Sequence, residues 1–158
     1  MPVGETALAA WLDRFAAALA APGRADWSEL FAEECWWRDL VAFTWNIVTL
    51  EGTAAISQMT ATQAEAIGAH GFALDDPTLA LTDANQGWFT FETSTAHCRG
   101  HVQLVDGKAR ILLTAMTGLI GHEEPTGPRL AALLGAMREP LWPPRKPRRS
   151  ESPSTLTA

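Results

Sequence analysis

A chain of 158 residues, 47% hydrophobic and 19% charged, is long enough to bury one core and has a globular composition, which excludes a disordered polypeptide. Its formal charge of −6 is unevenly placed: residues 140–158 hold four basic side chains against one acid, so the remainder carries −9 and repels phosphate backbones, arguing against a nucleic-acid partner. No apolar run reaches the length of roughly 18 residues that a spanning helix needs, and the N-terminus has Glu5 and Asp13 with no base before Arg14, unlike a secretory signal.

In chain order, residues 5–21 read as a helix, because Leu8, Trp11, Leu12, Phe15 and Leu19 recur at three- and four-residue spacing with alanines between them. Pro22-Gly23 ends it. A short second helix follows, with Asp26 as N-cap and Trp27, Leu30 and Phe31 on its buried side. Residues 35–40 read as a strand with Trp37 and Asp39 on one face and Trp36 and Arg38 on the other. Residues 46–50 form a second strand, closed by Gly52.

Thr53 is the expected cap of a third helix reaching about position 69, with Ile56, Met59, Gln63 and Ile67 along one stripe. Strand-like segments then follow at 78–82, 88–93, 97–105 and 109–119, and Asp106-Gly107 marks a two-residue hairpin between the last two. Helices first and a meander of strands last make an α+β fold rather than a parallel βαβ one. The domain is expected over residues 1–130. A C-terminal extension over 131–158, rich in Pro, Arg, Ser and Thr, is expected to be disordered from about 140, where its basic residues serve solubility.

Two cysteines far apart, Cys35 and Cys98, form neither a disulfide framework nor a zinc spacing, so a reducing cytoplasm is the expected location. Seven tryptophans with no tyrosine are the compositional oddity, and Trp36, Trp37 and Trp45 cluster around the charged pair Arg38-Asp39.

The two helices before an aspartate-bearing strand, the G-x-x-A-I run at 52–56 and the closing hairpin together resemble the nuclear transport factor 2-like superfamily, which includes SnoaL-like and polyketide-cyclase-like proteins. The likeness spans about residues 5–125. It implies a cone in which N-terminal helices pack on a curved antiparallel sheet around a cavity, and a homodimer through the outer sheet face, for which the 99–103 stretch is suited. The stretches WRDLVAFTW (37–45), FTFET (89–93), RGHVQLVDGKA (99–109) and GHEEPTGPR (121–129) are similar to the domain preceding the flavin-binding part of flavin-dependent monooxygenase-like proteins. No G-x-G-x-x-G fingerprint is present, so the likeness carries no flavin chemistry here.

In the isomerase-like branch an aspartate matching Asp39 takes the substrate's proton, and desolvation among Trp37, Phe43 and Trp45 would suit it to acid/base work. The same resemblance implies an oxyanion donor from a tyrosine and an acid. This chain has no tyrosine, and Gly100 stands near the acid's position. His97 and His101 lie about 13 Å apart on a strand, too far to grip one ion, and share their face with Arg99 and Gln103. His122-Glu123-Glu124 fails as a zinc-protease motif because position 126 is Thr126. Cys98 reads as a small buried hydrophobe.

Two functions follow. One is a domain binding a small hydrophobic organic molecule, accessory to a flavin-dependent oxidoreductase, its pocket walled by Trp11, Phe15, Trp37, Trp45, Phe89, Phe91, Leu112 and Met116 and oriented by Asp39. The other is a cofactor-free isomerase, cyclase or dehydratase with Asp39 as base. No metal, flavin or other cofactor, no nucleic acid and no membrane is implied.

Overall fold

The computed structural model describes residues 3–75 and 85–124. Helix α1 (Val3–Ala20) stops at a 3₁₀ turn, Pro22–Arg24, because proline cannot donate to the preceding turn. Helix α2 (Trp27–Leu30) is a single turn, N-capped as expected by the Asp26 carboxylate, which accepts from the Ser28 N–H at 3.1 Å. Phe31, assigned above to this helix, instead opens strand β1 (Phe31–Leu40), whose register against its neighbour shifts between Phe31 and Trp36. That irregularity masks the alternation before Cys35 and explains why the strand starts earlier than its sequence pattern.

Strand β2 (Ile47–Glu51) leads directly into helix α3 (Gly52–Ile67). Glu51 holds the N-cap position without a side-chain bond, so Thr53 lies within the helix rather than capping it. Gly68, at φ +61°, ends the helix by returning its N–H to Ala64, a left-handed conformation that glycine adopts without a Cβ penalty. Strand β3 (His70–Leu74) has no counterpart in the sequence reading, and the expected strand at 78–82 lies outside the described residues. Strands β4 (Gln86–Glu92), β5 (Ala96–Val105) and β6 (Lys108–Leu119) fall where the alternation placed them. Asp106 and Gly107 both have positive φ, +51° and +75°, as a two-residue hairpin turn requires.

The sheet order is β2-β1-β6-β5-β4-β3. It is curved and open, and it is mixed rather than antiparallel: β1 runs parallel to β6, because the chain passes from the end of β1 through β2, α3 and three further strands before returning beside it. The helices pack on one face, α3 against β1 and α1 against β3. Alternate residues point into that layer: Trp37 and Asp39 from β1, Phe89 and Phe91 from β4, Cys98 and Val102 from β5, and Leu112 and Thr114 from β6, all buried. The helix-bearing face and the uncovered face are thus set by strand parity alone. No described helix is long and apolar enough to cross a membrane.

One close approach fixes a residue type. A Cβ built on Gly100 would lie 2.2–2.7 Å from three ring atoms of Phe89, its partner in register on β4. The distal end of the Phe89 ring lies over Gly100, in the region where the isomerase resemblance would place an acid. Gly100→Ala should therefore destabilise the fold by roughly 1–3 kcal/mol through overpacking. Equilibrium unfolding in urea measures this, and an unchanged midpoint would contradict the packing described.

Candidate functional site

Asp39 sits at the inner end of β1, opposite Thr114 in the parallel register with β6, and is fully buried. Four donors converge on its carboxylate. The Phe43 N–H reaches both oxygens, Oδ2 at 3.0 Å and Oδ1 at 3.2 Å, and the Thr44 N–H and hydroxyl each donate to Oδ2 at 2.8 Å. The Thr114 hydroxyl donates to Oδ1 at 2.7 Å and in turn accepts the Trp37 Nε1–H at 2.8 Å. A carboxylate offers about four acceptor positions, and four donors face them, the Thr44 hydroxyl also lying 3.0 Å from the Asn46 carbonyl.

The bonds from residues 43 and 44 turn the chain back on itself directly after β1. Two non-glycine residues of that turn, Val41 at φ +68° and Trp45 at φ +53°, occupy the left-handed region, and the Val41 N–H closes it on the Asn46 carbonyl at 3.0 Å. A β-branched residue in this region is strained, and such strain persists where the surroundings over-determine the backbone. The Asp39 carboxylate supplies that determination.

The turn also drives Phe43 inward. Phe15, Trp37, Phe43, Phe91 and Phe72 form a closed circuit of rings with successive centroid distances of 5.5, 5.1, 5.7, 5.1 and 5.8 Å. Trp11 stacks on Phe15 at 4.8 Å, and Phe89 adjoins both Phe72 and Phe91. Rings at these separations are in contact, so each member of the circuit packs against its two neighbours.

The residues proposed as pocket walls are therefore placed as follows. Trp11, Phe15, Trp37, Phe89, Phe91 and Leu112 are brought together and buried against one another, with Met116 half-buried at their margin. Trp45 is not among them: it is 57% exposed, because its left-handed backbone turns the side chain away from the core. Phe72, which closes the circuit, was missed along with its strand, since the five residues of β3 include Gly71 at φ +68° and show little alternation.

Burial, and after it the neighbouring Asp39 carboxylate, push the Cys98 thiol up to about 12, leaving it a protonated core side chain. His101 packs edge-on against Trp88 at 4.8 Å on the uncovered face, and burial lowers its pKa. His97, on the same face, reaches Glu92 and Glu123 instead, so the two histidines serve different neighbours. No described cluster of three or more His, Cys, Asp or Glu side chains has a metal-holding arrangement.

Two clefts are formed among the described residues. One, of about 320 Å³, lies between α1 and α2 and includes Arg14, Arg24, Asp26 and Glu29. Another, of about 290 Å³, includes Gly71, Thr90, Glu92, His97 and Thr117, and of the expected wall residues only Phe91 touches either cleft.

No protein-family model matches the chain, and no curated protein does. Solved structures do. A nuclear transport factor 2-like protein from Anabaena variabilis aligns over 73% of this chain and 90% of its own, at 10% identity and a TM-score of 0.57. One from Burkholderia xenovorans, without an assigned function, aligns over 80% and 93% at 12% identity and 0.56. A Bacillus subtilis protein provisionally named an isomerase aligns over 74% and 90% at 14% identity and 0.56.

The Trp37–Thr114–Asp39 chain yields a direct expectation. Thr114→Val preserves shape but strands the Trp37 N–H and removes a donor from Asp39, and should cost about 2–3 kcal/mol. Urea unfolding with Trp fluorescence measures it, and a loss below about 0.5 kcal/mol would remove the network from the account. At these levels of identity the matches establish architecture: this chain has the nuclear transport factor 2-like fold.

Proposed function

We propose that this chain is a binding module without catalytic chemistry of its own, which works through its surface as a pair of identical subunits. The observation that carries the reading is the saturation of Asp39: a general base must have an acceptor position free for the proton it removes, and all of those on Asp39 face donors of the fold. A second support is the ring circuit, in which side chains expected to wall a pocket pack on one another.

The uncovered face of the sheet supplies the surface. Pairing in register sets Ile47–Leu40–Ala115, Thr49–Arg38–Leu113 and Glu51–Trp36–Ile111 side by side across β2, β1 and β6. The next strands continue the same rows with Arg99, His101 and Gln103, then Thr90, Trp88 and Gln86. One half is thus apolar, with Ile47 59% and Ile111 43% exposed, and the other is polar. Of the charges in the apolar half, Glu51 stands on the edge strand β2 and Arg38 is turned onto the Thr49 hydroxyl at 2.8 Å. An apolar sheet half of this kind favours a partner, and a second copy offers the matching surface. The buried free thiols Cys35 and Cys98 fit a reducing compartment such as the cytoplasm.

Sedimentation of the purified chain, combined with native mass spectrometry, tests the proposal. The expected species is two 17.1 kDa chains with no organic molecule retained, and Ile47→Glu with Ile111→Glu should convert it to a single chain without unfolding. A wild-type protein that is monomeric at micromolar concentration, or that carries a co-purified organic molecule among its rings, would overturn the reading.

A further inference from the structure

Four titratable side chains form a line across the uncovered face, alternating base and acid: His70 on β3, Glu92 on β4, His97 on β5 and Glu123 just after β6. His97 is the centre. Its Nδ1 lies 2.9 Å from Glu92 Oε1 and its Nε2 lies 3.1 Å from Glu123 Oε1. A carboxylate oxygen accepts and cannot donate, and a neutral imidazole has only one N–H. Both contacts are hydrogen bonds only when the ring carries two protons.

His70 repeats the logic at the far end. Its Nδ1 is 2.8 Å from the Gly68 carbonyl, which only accepts, so an attractive approach of Nε2 to Glu92 Oε2 at 3.6 Å again needs the second proton. Glu123 is more than a counter-ion, since the same Oε1 also accepts the Gly121 N–H at 2.9 Å and so shapes the turn by which the chain leaves β6.

We propose that His97 is a proton-operated clasp: doubly protonated, it ties the turn after β6 to β4, and loss of one proton frees Glu123 and loosens residues 120–123. Among the described residues, the charged or titratable groups around it are Glu92 and His70 on one side and Glu123 on the other. Arg99, two residues along β5, is engaged with Asp75 just beyond the end of β3. His122 and Glu124 flank Glu123 and are exposed.

The direction of the response follows. The bond to Glu123 chiefly raises the His97 pKa; burial opposes it, and the bond to Glu92 adds to the rise. A raised folded value means that the clasp's contribution is complete below the ordinary histidine value and is lost as pH rises through the folded one. The Gly121 N–H, the Glu123 N–H and then His97 hold Glu123 below its usual range, so acid breaks the clasp only after pH falls through that lowered value. The clasp is closed between these two limits. Both partners are solvent-exposed, so its effect is local rather than a change in global stability.

The test is a pH series on the full chain between about 5 and 9, following the histidine ring signals by NMR and the Gly121 amide by hydrogen exchange. The expected result is that His97 titrates above an ordinary histidine and that Gly121 protection falls with the same midpoint, beyond the intrinsic pH dependence of exchange. Glu123→Gln keeps an acceptor for Gly121 but removes the charge, and should lower the His97 midpoint. His97→Gln should leave Gly121 protection independent of pH. A His97 midpoint unmoved by Glu123→Gln, or Gly121 exchange that follows intrinsic chemistry through the titration, would overturn the proposal.

Discussion

The buried carboxylate of Asp39 is the constraint on which the rest of the molecule turns. A polar group in a layer of aromatic rings costs several kcal/mol unless its acceptor positions are filled, and here the chain's own geometry fills them. Meeting that demand requires Thr114 to stand opposite Asp39, which fixes the parallel register of β1 on β6. It also requires the backbone to double back at residues 43 and 44, which holds Val41 and Trp45 in left-handed conformations. The same reversal that brings the Phe43 N–H to the carboxylate brings its ring to Trp37 and Phe91. Polar satisfaction and core closure are therefore one event.

This arrangement separates the identity of a residue from its use. An aspartate at the end of an inner strand, among tryptophans, has the chemistry of a base only if one of its lone pairs faces a guest. In this chain those lone pairs face two main-chain N–H groups and two hydroxyls. The glycine at position 100 completes the change, because the phenyl ring of Phe89 occupies the space above it. The rings of the helix-facing layer pack on one another, and the open face of the sheet carries an apolar half across β2, β1 and β6.

Much of the fold was legible from the chain alone. The stripe of Leu8, Trp11, Phe15 and Leu19, the alternation through β4, β5 and β6, and the Asp106-Gly107 turn are local signals of period and turn chemistry, and local signals survive folding. The Asp26 cap was legible for the same reason. What was not legible depends on partners distant in sequence. The early start of β1 and its parallel neighbour need β6, some 75 residues away; strand β3 is short and interrupted by a left-handed glycine; and the helix start at Gly52 depends on how β2 ends. At the site, the sequence marked Asp39 and the aromatic residues around it but not what they do. Which aromatic rings touch one another depends on Phe72 and on the turn at 41–46, neither of which carries a composition signal. The exposed position of Trp45 belongs to the same class, since a positive φ at tryptophan has no warning in the residue type.

A double-mutant cycle on Asp39→Asn and Thr114→Val, read by urea unfolding of the full chain, tests the structural role of Asp39 most directly. Asp39→Asn is expected to be strongly destabilising, with a coupling energy of about 1–3 kcal/mol, as for two members of one buried network. A neutral or stabilising Asp39→Asn, additive with Thr114→Val to within about 0.3 kcal/mol, would mean that the carboxylate is not held by the fold and would return it to candidacy as a base.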